Sequence, residues 1–303
     1  MDTKSKIILI SGPTASGKST FAIKLAKKIN GEVINADSMQ VYKEIKILTA
    51  RPSKQEQQNI KHHLYGFQSV KKNFSTGEWQ KLAIKKIYEV KKRNKIPILV
   101  GGTGLYFKSL IDGLIKIPKI PLKFRNKVRS LQKKIGQKRF YNQLLKLDPL
   151  VKNRIERNDV QRSTRAFEVK SYTKVSLYEW FSKTKKMFSD DDFIKIFINF
   201  PRVELLKRIN LRVDQMFAKG AIKEVRKFLK LKVKSDKSAS KIIGVGEIKR
   251  YLNKADDLQS VKDKIAIKTR QYAKRQATWA RGQMQSWQKI NPKNLSLILK
   301  NLK

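Results

Sequence analysis

Short apolar runs, separated by segments with a helical spacing of apolar residues, organise much of the chain. The runs are Ile7–Ile10, Glu32–Asp37, Ile96–Val100 and Phe193–Ile198. Apolar runs without strict alternation are typical of strands that are buried on both faces of a parallel sheet. We therefore expect these segments to be strands of one sheet.

Helices are expected between these strands. After Lys18, the residues Phe21, Leu25 and Ile29 recur at every fourth position, which places them on one face of a helix. A second helix is predicted over about residues 78–92, just before the third run. This alternation of strands and helices predicts an α/β fold with a parallel sheet flanked by helices.

The pattern changes between residues 113 and 192, where charged helical segments dominate and no buried strand is predicted. The segments are interrupted by Pro118, Pro121, Gly136 and Pro149. We interpret this part as a helical insertion domain. Residues 1–112 and 193–303 then form the core, which continues in further helices after about Pro201.

The composition limits the class of protein. The 303 residues suffice for a sizeable core, and the chain has no cysteine and no uncharged apolar run long enough to cross a bilayer. Disulfides, thiolate metal sites and cysteine nucleophiles are therefore excluded. The start of the chain lacks the apolar region of a signal peptide. We expect a cytoplasmic monomer without a membrane partner.

The formal net charge of +46 is extreme. A surface this positive attracts polyanions over long distances, and nucleic acid is the first candidate. Lysine is spread along the whole chain, and isoleucine and asparagine are also plentiful, as in proteins from AT-rich genomes. The positive charge favours a nucleic-acid partner. The alternative explanation for the charge is the base composition of the genome.

The segment after the first predicted strand matches the phosphate-binding pattern G-x-x-x-x-G-K-[ST] at every position. It consists of Gly12, Pro13, Thr14, Ala15, Ser16, Gly17, Lys18 and Ser19. In such a P-loop, backbone N–H groups and the positive end of the following helix surround a phosphate, and the lysine adds a mobile charge. Ser19 is the candidate ligand of a Mg²⁺ ion that bridges phosphate oxygens. The motif predicts a P-loop NTPase-like sheet that binds a diphosphate or triphosphate.

Several further blocks resemble, in order and spacing, those of the tRNA dimethylallyltransferase family. They are Asn35–Tyr42, Thr49–Pro52, His62–Leu64, Gly101–Tyr106, Asp159–Arg162 and Ala273–Trp279. The A-D-S-M-Q-V-Y and G-G-T-x-L-Y blocks together are far more specific than a P-loop alone. The resemblance implies transfer of a dimethylallyl group from dimethylallyl diphosphate to N6 of the adenine directly 3′ of the anticodon. The implied substrates are tRNAs that read codons beginning with U, and the released product is diphosphate.

The resemblance also implies a catalytic role for each of three residues. Asp37, after a predicted strand, would orient the adenine amine and accept its proton; the alternative is an acid that associates with Mg²⁺ or caps a helix. Thr103 would lie near the bridging oxygen of the diphosphate; the alternative is a helix cap, and one side chain can serve in both roles. Arg212 would reach the diphosphate, or be a solvated helix charge.

Contacts with the tRNA anticodon arm are implied by the same family pattern. The residues are Asp37, Ser38, Met39, Gln40, Arg125, Gln161, Arg162, Ser163, Thr164, Arg165 and the segment Lys241–Gly246. The adenine must leave its stack to enter a pocket. The chain departs from the family pattern at Leu48, Arg51, Val160 and Gly246, and the glycine removes a basic residue from the contact segment.

The two histidines are adjacent, at positions 62 and 63. Adjacent residues point to opposite sides of an extended chain, and there is no further histidine and no cysteine to complete a zinc site. We expect no zinc, and we expect one of the histidines to lie near the substrate channel.

Two other functions fit parts of the sequence. A P-loop small-molecule kinase would use ATP, with Asp37 as the base for a hydroxyl group, but it does not explain the Gly101–Tyr106 block or the basic C-terminal helix. A non-catalytic RNA-binding protein with a vestigial nucleotide site would have no need to combine Lys18, Ser19, Asp37 and Thr103.

Overall fold

The structure is a computed structural model that describes residues 6–295. Residues 1–5 and 296–303 lie outside the described part, and the expectation that the chain starts without a signal peptide falls on the first of these segments. The chain forms two units. One comprises Met1–Ile111 and Phe188–Lys303, and the other is Asp112–Met187.

Among the described residues, six parallel strands form one sheet in the first unit. They are β1 (Ile7–Ser11), β2 (Gly31–Asn35), β3 (His62–His63), β4 (Ile96–Gly101), β5 (Phe193–Ile198) and β6 (Gln288–Ile290). The order in space is β3-β2-β4-β1-β5-β6, and all neighbouring pairs are parallel. The prediction of a parallel α/β sheet is confirmed, and only the short outer strands β3 and β6 lack a counterpart in the apolar pattern.

The helices of the described part follow in chain order. They are α1 (Lys18–Lys28), α2 (Lys54–Gln57), α3 (Thr76–Lys92), α4 (Gly104–Asp112), α5 (Leu122–Leu147), α6 (Val160–Thr173), α7 (Leu177–Ser182), α8 (Arg202–Ala218), α9 (Ala221–Lys230), α10 (Val245–Leu252) and α11 (Leu258–Gln283). The predicted helices after Lys18 and over residues 78–92 correspond to α1 and α3.

Helices cover both faces of the sheet, which explains why its inner strands are largely apolar. Phe21 and Leu25 of α1 are buried with strand residues on one face. On the other face, Trp79 and Ile87 of α3 are buried with Leu9 of β1. Since hydrophobic burial is the main favourable term in folding, these two layers hold the carboxyl ends of the strands in place.

The second unit contains α5, α6 and α7. Within α5, Gly136 has φ 75° and ψ 162°, a conformation open in practice only to glycine, so the helix is interrupted there. A cluster of buried residues that includes Tyr141, Leu144 and Ala166 joins α5 to α6.

The boundary of this unit differs from the one expected from the sequence. Residues 188–192, expected in the insertion, belong to the first unit. The reason is Phe188, whose side chain is buried in the core of the first unit and packs edge-on against Phe193, with ring centroids 5.7 Å apart.

None of the helices between residues 6 and 295 combines the length and the apolar character needed to cross a membrane.

The buried carboxylate of Glu32 in β2 connects β3 to the end of α3 and to the loop before β4. Oε2 of Glu32 lies 2.6 Å from Nε2 of His63 and 2.6 Å from Nη2 of Arg93. Nζ of Lys95 lies 3.7 Å from Oε1 of the same carboxylate. Burial alone would raise the pKa of Glu32, but the hydrogen bonds from Arg93 and His63 outweigh it and lower the pKa to about 2.

This cluster predicts a pH-dependent contribution to stability. Because the pKa of Glu32 falls on folding from 4.5 to about 2, the stabilisation is complete above pH 4.5 and is lost as the pH falls toward 2. Thermal unfolding of wild type and Glu32→Gln between pH 7 and pH 3 should show a Tm gap that narrows with acid. Glu204→Gln, at an exposed position of α8, should show no such trend. A gap that is constant over this range would contradict the assignment.

Candidate active site

The P-loop connects β1 to α1 at the carboxyl edge of the sheet. Nζ of Lys18 donates to the carbonyl oxygen of Pro13 at 3.2 Å, so the lysine folds back over the loop. No side chain caps the N-terminus of α1. The hydroxyl of Ser16 is buried without a hydrogen-bond partner in the described part of the chain. Uncapped helix amides next to an orphaned hydroxyl and a lysine suit an anion.

Two cations and one carboxylate face each other near this loop. Burial lowers the pKa of Lys18 to about 8, although attraction to Asp37 raises it. Burial also lowers the pKa of Arg212, again against the attraction of Asp37. Both cations are therefore poorly solvated, and a bound anion would interact with them more strongly than with charges in water.

Asp37 is held in place by the last residue of β2. Oδ1 of Asn35 accepts from the backbone N–H of Asp37 at 2.9 Å, and Nδ2 of Asn35 donates to the carbonyl oxygen of Leu64 at 3.0 Å. Oδ1 of Asp37 accepts from the backbone N–H of Met39 at 2.9 Å. One carboxylate oxygen is thus fixed within the turn, which leaves the other for a ligand.

A cavity of about 330 Å³ brings these groups together. Its polar lining residues are Thr14, Lys18, Ser19, Asp37, Gln40, Thr49, Arg212, Lys241, Thr269, Tyr272 and Arg275. Its apolar lining residues are Met39, Leu48, Ala50, Met216, Ile242, Ile243 and Ile265. An apolar enclosure with a few convergent charged groups is the usual form of a small-ligand site, and the volume lies in the usual range.

Thr103 lies between β4 and α4, and its side chain connects the strand ends. Its Oγ1 accepts from the backbone N–H of Ser38 at 2.9 Å and donates to Oγ of Ser38 at 3.2 Å. The hydroxyl is thus bonded to the Asp37 turn rather than to amides of α4, which argues against the helix-cap alternative. Thr103 lines a second cavity of about 230 Å³, and Tyr272 and Arg275 line both cavities.

The backbone around Thr103 is packed closely against the Asp37 turn. A Cβ atom at Gly101 would lie 2.0 Å from the carbonyl oxygen of Ala36. Only glycine allows this approach, so the end of β4 and the residue before Asp37 can touch directly.

Gln276 of α11 was not assigned a role from the sequence, although it lies in one of the family blocks. Its Oε1 accepts from the backbone N–H of Thr14 at 2.8 Å, and its Nε2 donates to the carbonyl oxygen of Gly102 at 2.9 Å. One side chain therefore links the P-loop to the loop that carries Thr103.

Arg212 projects from α8 towards the P-loop. Its Nη1 donates to Oγ1 of Thr14 at 3.1 Å, and the side chain also lines a larger open cavity of about 1030 Å³. A solvated helix charge would have neither feature. Lys18 and Ser19 line this larger cavity as well, so the P-loop is accessible from two directions.

Glu224 is a second residue that the sequence pattern does not reveal. Its Oε1 accepts from the backbone N–H groups of Lys46 and Ile47 at 2.7 and 2.8 Å, and its Oε2 accepts from that of Leu48 at 3.0 Å. The carboxylate therefore fixes the segment that leads into the cavity wall. Leu48, which departs from the family's usual glycine, is buried in that wall.

The candidate tRNA contacts of the second unit differ in exposure. Gln161 and Arg162 are exposed, and Arg162 pairs with Asp159. Ser163 is fully buried, and its Oγ accepts from Nε2 of Gln137 at 3.2 Å. Thr164 is also buried, and its hydroxyl donates to the carbonyl oxygen of Val160 at 2.7 Å. Contrary to expectation, Ser163 and Thr164 cannot present their side chains to a partner, because these lie inside the unit.

Neither histidine lines the cavities described above. His63 is buried against Glu32, while Nδ1 of His62 lies 2.8 Å from the carbonyl oxygen of Ile60. The expectation that one of them lies near the substrate channel is therefore wrong for these cavities. Their place in β3 gives them a structural role at the sheet edge.

A Mg²⁺ ion fits this site only together with a phosphate ligand. Within residues 6–295, no group of three or more histidine, cysteine or acidic side chains could hold a metal ion. Mg²⁺ commonly keeps several waters and binds through one or two protein oxygens plus substrate phosphates. The hydroxyl of Ser19, which lines the same cavity as Asp37 and Lys18, meets that requirement.

Known proteins are similar to this chain along most of its length. A tRNA dimethylallyltransferase from Pelagibacter ubique is 63% identical over 303 residues, with 100% of this chain and 97% of the relative covered. One from Rickettsia massiliae is 44% identical over 283 residues, with coverage of 93% and 78%.

Solved structures are similar along most of the chain. One is a eukaryotic dimethylallyltransferase acting on tRNA, with a TM-score of 0.82, 29% identity and coverage of 96% of this chain and 75% of that one. Another is a tRNA isopentenylpyrophosphate transferase from Bacillus halodurans, with a TM-score of 0.70, 31% identity and coverage of 98% and 95%. The model of the IPP transferase family matches residues 40–283. With this match and its full-length relatives, the chain belongs to the IPP transferase family.

Proposed function

We propose that this protein transfers the dimethylallyl group of dimethylallyl diphosphate to N6 of the adenine directly 3′ of the anticodon in tRNA. The observation that carries the proposal is one cavity that is lined by both the P-loop lysine, Lys18, and the carboxylate that follows β2, Asp37. Membership of the IPP transferase family supports it.

The P-loop supplies the first half of the reaction. As the bond between C1 of the donor and the diphosphate oxygen breaks, the oxygen keeps the electron pair and negative charge grows on the leaving group. Lys18, Arg212 and the uncapped N–H groups at the start of α1 would stabilise that charge, and preorganised charges of this kind are usually the largest catalytic term. Thr14, bonded to Arg212, holds the guanidinium towards the loop.

Asp37 supplies the second half. The N6 amine of adenine is a poor nucleophile, because its lone pair is delocalised into the ring. The carboxylate oxygen not used by Met39 accepts an N6–H hydrogen bond, orients the amine towards C1, and takes the proton as the C–N bond forms. Thr103 steadies the Asp37 turn through Ser38 and, with Gly12 of the P-loop, lines the second cavity.

A Mg²⁺ ion held by Ser19 and the diphosphate would neutralise part of the leaving-group charge. A monomer as the active form is part of the same proposal. The proposed tRNA contacts are those expected residues whose side chains line the cavity or reach the protein surface. Among them, the basic side chains bind phosphates and bases of the tRNA. A cytoplasmic site of action is part of the same proposal, since tRNA is the substrate.

The kinase alternative uses the same P-loop with ATP. It is not favoured, because the relatives that match along the whole chain are tRNA dimethylallyltransferases. It also has no use for the hydrogen bonds that join the Thr103 loop to the Asp37 turn.

Transfer of label tests the proposed function directly. Purified protein is incubated with unmodified tRNA, Mg²⁺ and dimethylallyl diphosphate labelled in the prenyl group, and in parallel with ATP labelled at the γ-phosphate. Label should enter tRNA from the prenyl donor, and digestion should locate it on the adenine next to the anticodon. Loss of label from ATP to a small acceptor, without prenylation of tRNA, would overturn the proposal in favour of a kinase.

Gln276→Ala should lower kcat/KM for dimethylallyl diphosphate by about 10–100-fold, because two hydrogen bonds of about 1 kcal/mol each are lost between the P-loop and the Thr103 loop. Steady-state kinetics at saturating tRNA measure the effect. Gln276→Glu keeps the acceptor for Thr14 but places an oxygen against the Gly102 carbonyl, so it should not restore activity. Gln271→Ala, at an exposed position of the same helix, is the matched control. Wild-type kinetics in Gln276→Ala would remove the linking role.

A further inference from the structure

One buried carboxylate in the second unit collects three arginines. The side chain of Glu168 on α6 is only 2% exposed. Its Oε2 lies 3.1 Å from Nε of Arg125 and 3.5 Å from Nη1 of Arg165, and its Oε1 lies 3.4 Å from Nε of Arg129. Arg125 and Arg129 are four residues apart on α5, and Arg165 precedes Glu168 by three on α6, so all three side chains reach the same point.

The arginines keep much of their surface free. Their side chains are 36%, 51% and 40% exposed for Arg125, Arg129 and Arg165. A guanidinium has five N–H donors in a fixed fork, so the donors not directed at Glu168 remain available for another acceptor. The charges do not cancel, because three guanidinium groups share one carboxylate.

We propose that Arg125, Arg129 and Arg165 form one phosphodiester-binding site and that Glu168 is its positioning residue. The ligand class is a backbone phosphate of a structured RNA. The proposal deepens the function given above and rests on it, since tRNA supplies the phosphate. Arg129 and Glu168 are added to the residues that the family pattern implies.

Pre-orientation is the physical reason for such an arrangement. A free arginine loses rotamer entropy when it is immobilised on a ligand, at a cost of the order of 1 kcal/mol per side chain. Glu168 restrains them before the ligand arrives, through hydrogen bonds from Arg125 and Arg165 and an ion pair with Arg129, and its burial keeps water from competing for the inner N–H groups. Guanidinium forks on phosphate give the strong, directional class of hydrogen bond.

The direction in which one substitution changes RNA affinity distinguishes a positioning role from a purely electrostatic one. Glu168→Gln makes the surface one unit more positive, so a purely electrostatic surface would bind RNA more tightly. If Glu168 positions the arginines, the same change should weaken binding of unmodified tRNA to the full-length protein by about tenfold or more, since hydrogen bonds to charged groups are lost. Binding is measured by fluorescence anisotropy at several salt concentrations, without donor.

The matched control is Glu156→Gln, which adds the same charge at an exposed position of the same unit. It should leave the affinity within about twofold, and donor KM should be unchanged in both variants, because Asp112–Met187 contributes no residue to the catalytic cavity. Tighter or equal tRNA binding by Glu168→Gln, with a wild-type circular dichroism spectrum, overturns the proposal.

Arg129→Gln tests the site without disturbing the buried carboxylate, because this side chain is half exposed. It should weaken tRNA binding and reduce the slope of log K against log salt by about 0.7–0.9, the value of one phosphate contact. An unchanged slope overturns the proposal even if Glu168→Gln does not fold. Failure of the wild type to bind or prenylate tRNA would instead contradict the proposed function.

Discussion

Asparagine at position 37 should lower the turnover number by about 10²–10⁴-fold, the usual contribution of a positioned general base. Asparagine is the sharpest substitution, because its side-chain oxygen can still accept the Met39 N–H that Asp37 accepts at 2.9 Å. The turn, and with it the bond from Ser38 to Thr103, should therefore remain. What is lost is the oxygen that takes the proton from N6.

Single-turnover kinetics with enzyme in excess over tRNA measure the chemical step, apart from product release. Affinities for tRNA and for dimethylallyl diphosphate are measured on the same variant and should change by less than about threefold, a difference well below 1 kcal/mol. Asp236→Asn, at an exposed loop position, is the control for loss of one carboxylate. A wild-type single-turnover rate in Asp37→Asn would remove Asp37 from the mechanism.

The second large effect is expected for Lys18→Ala. We expect kcat/KM for dimethylallyl diphosphate to fall by about 10²–10³-fold, the typical cost of removing one preorganised charge or donor at the leaving group. The lysine lies over the P-loop, 3.2 Å from the Pro13 carbonyl oxygen, and its burial, reflected in a pKa lowered to about 8, makes its interaction with phosphate strong.

Steady-state kinetics for the donor and inhibition by inorganic diphosphate both report on this site, and both should weaken in Lys18→Ala. The affinity for tRNA alone should stay near that of wild type. Lys24→Ala is the control variant, because Lys24 is an exposed lysine of the same helix. Lys18→Arg should recover little, because a planar fork does not replace a compact ammonium in a narrow loop. A variant that loses tRNA and donor affinity equally would contradict a specific role at the diphosphate.

Local patterns predict the inner part of the fold well. The strands β1, β2 and β4 are buried at every position and β5 at four of its six, and such strands leave a largely apolar signature. The strand β3 consists of the two histidines and β6 has only three residues. Strands this short cannot show a recognisable pattern of apolar residues. Both are defined by pairing with a neighbouring strand, a non-local interaction.

The residues of the candidate site also fall into two groups, those that local motifs predict and those that they do not. Asp37, Lys18 and Arg212 stand in or near recognisable motifs, and the structure brings them to one cavity. The roles of Gln276 and Glu224 depend on backbone groups about 170–260 residues away in the chain, which no local spacing encodes.

The burial of individual helix positions is a second reason why some predicted contact residues were wrong. Gln161, Ser163 and Thr164 are close in sequence, yet the first points to solvent while the others pack inside the helical unit. A motif assigned as a block hides this, because neighbouring positions of a helix face different directions.

The interposition of β4 between β1 and β2 has a consequence for how the two half-reactions are spaced. The P-loop follows β1 and Asp37 follows β2, so the backbones that carry them are two strand separations apart, about 9–10 Å. The distance between these two backbones is constant, because the hydrogen bonds of the sheet set it and loop motion does not change it. Between them, Gly101 at the end of β4 packs directly against Ala36. An acceptor and a donor that enter from above are thereby held at a constant separation, and side chains alone adjust the final approach.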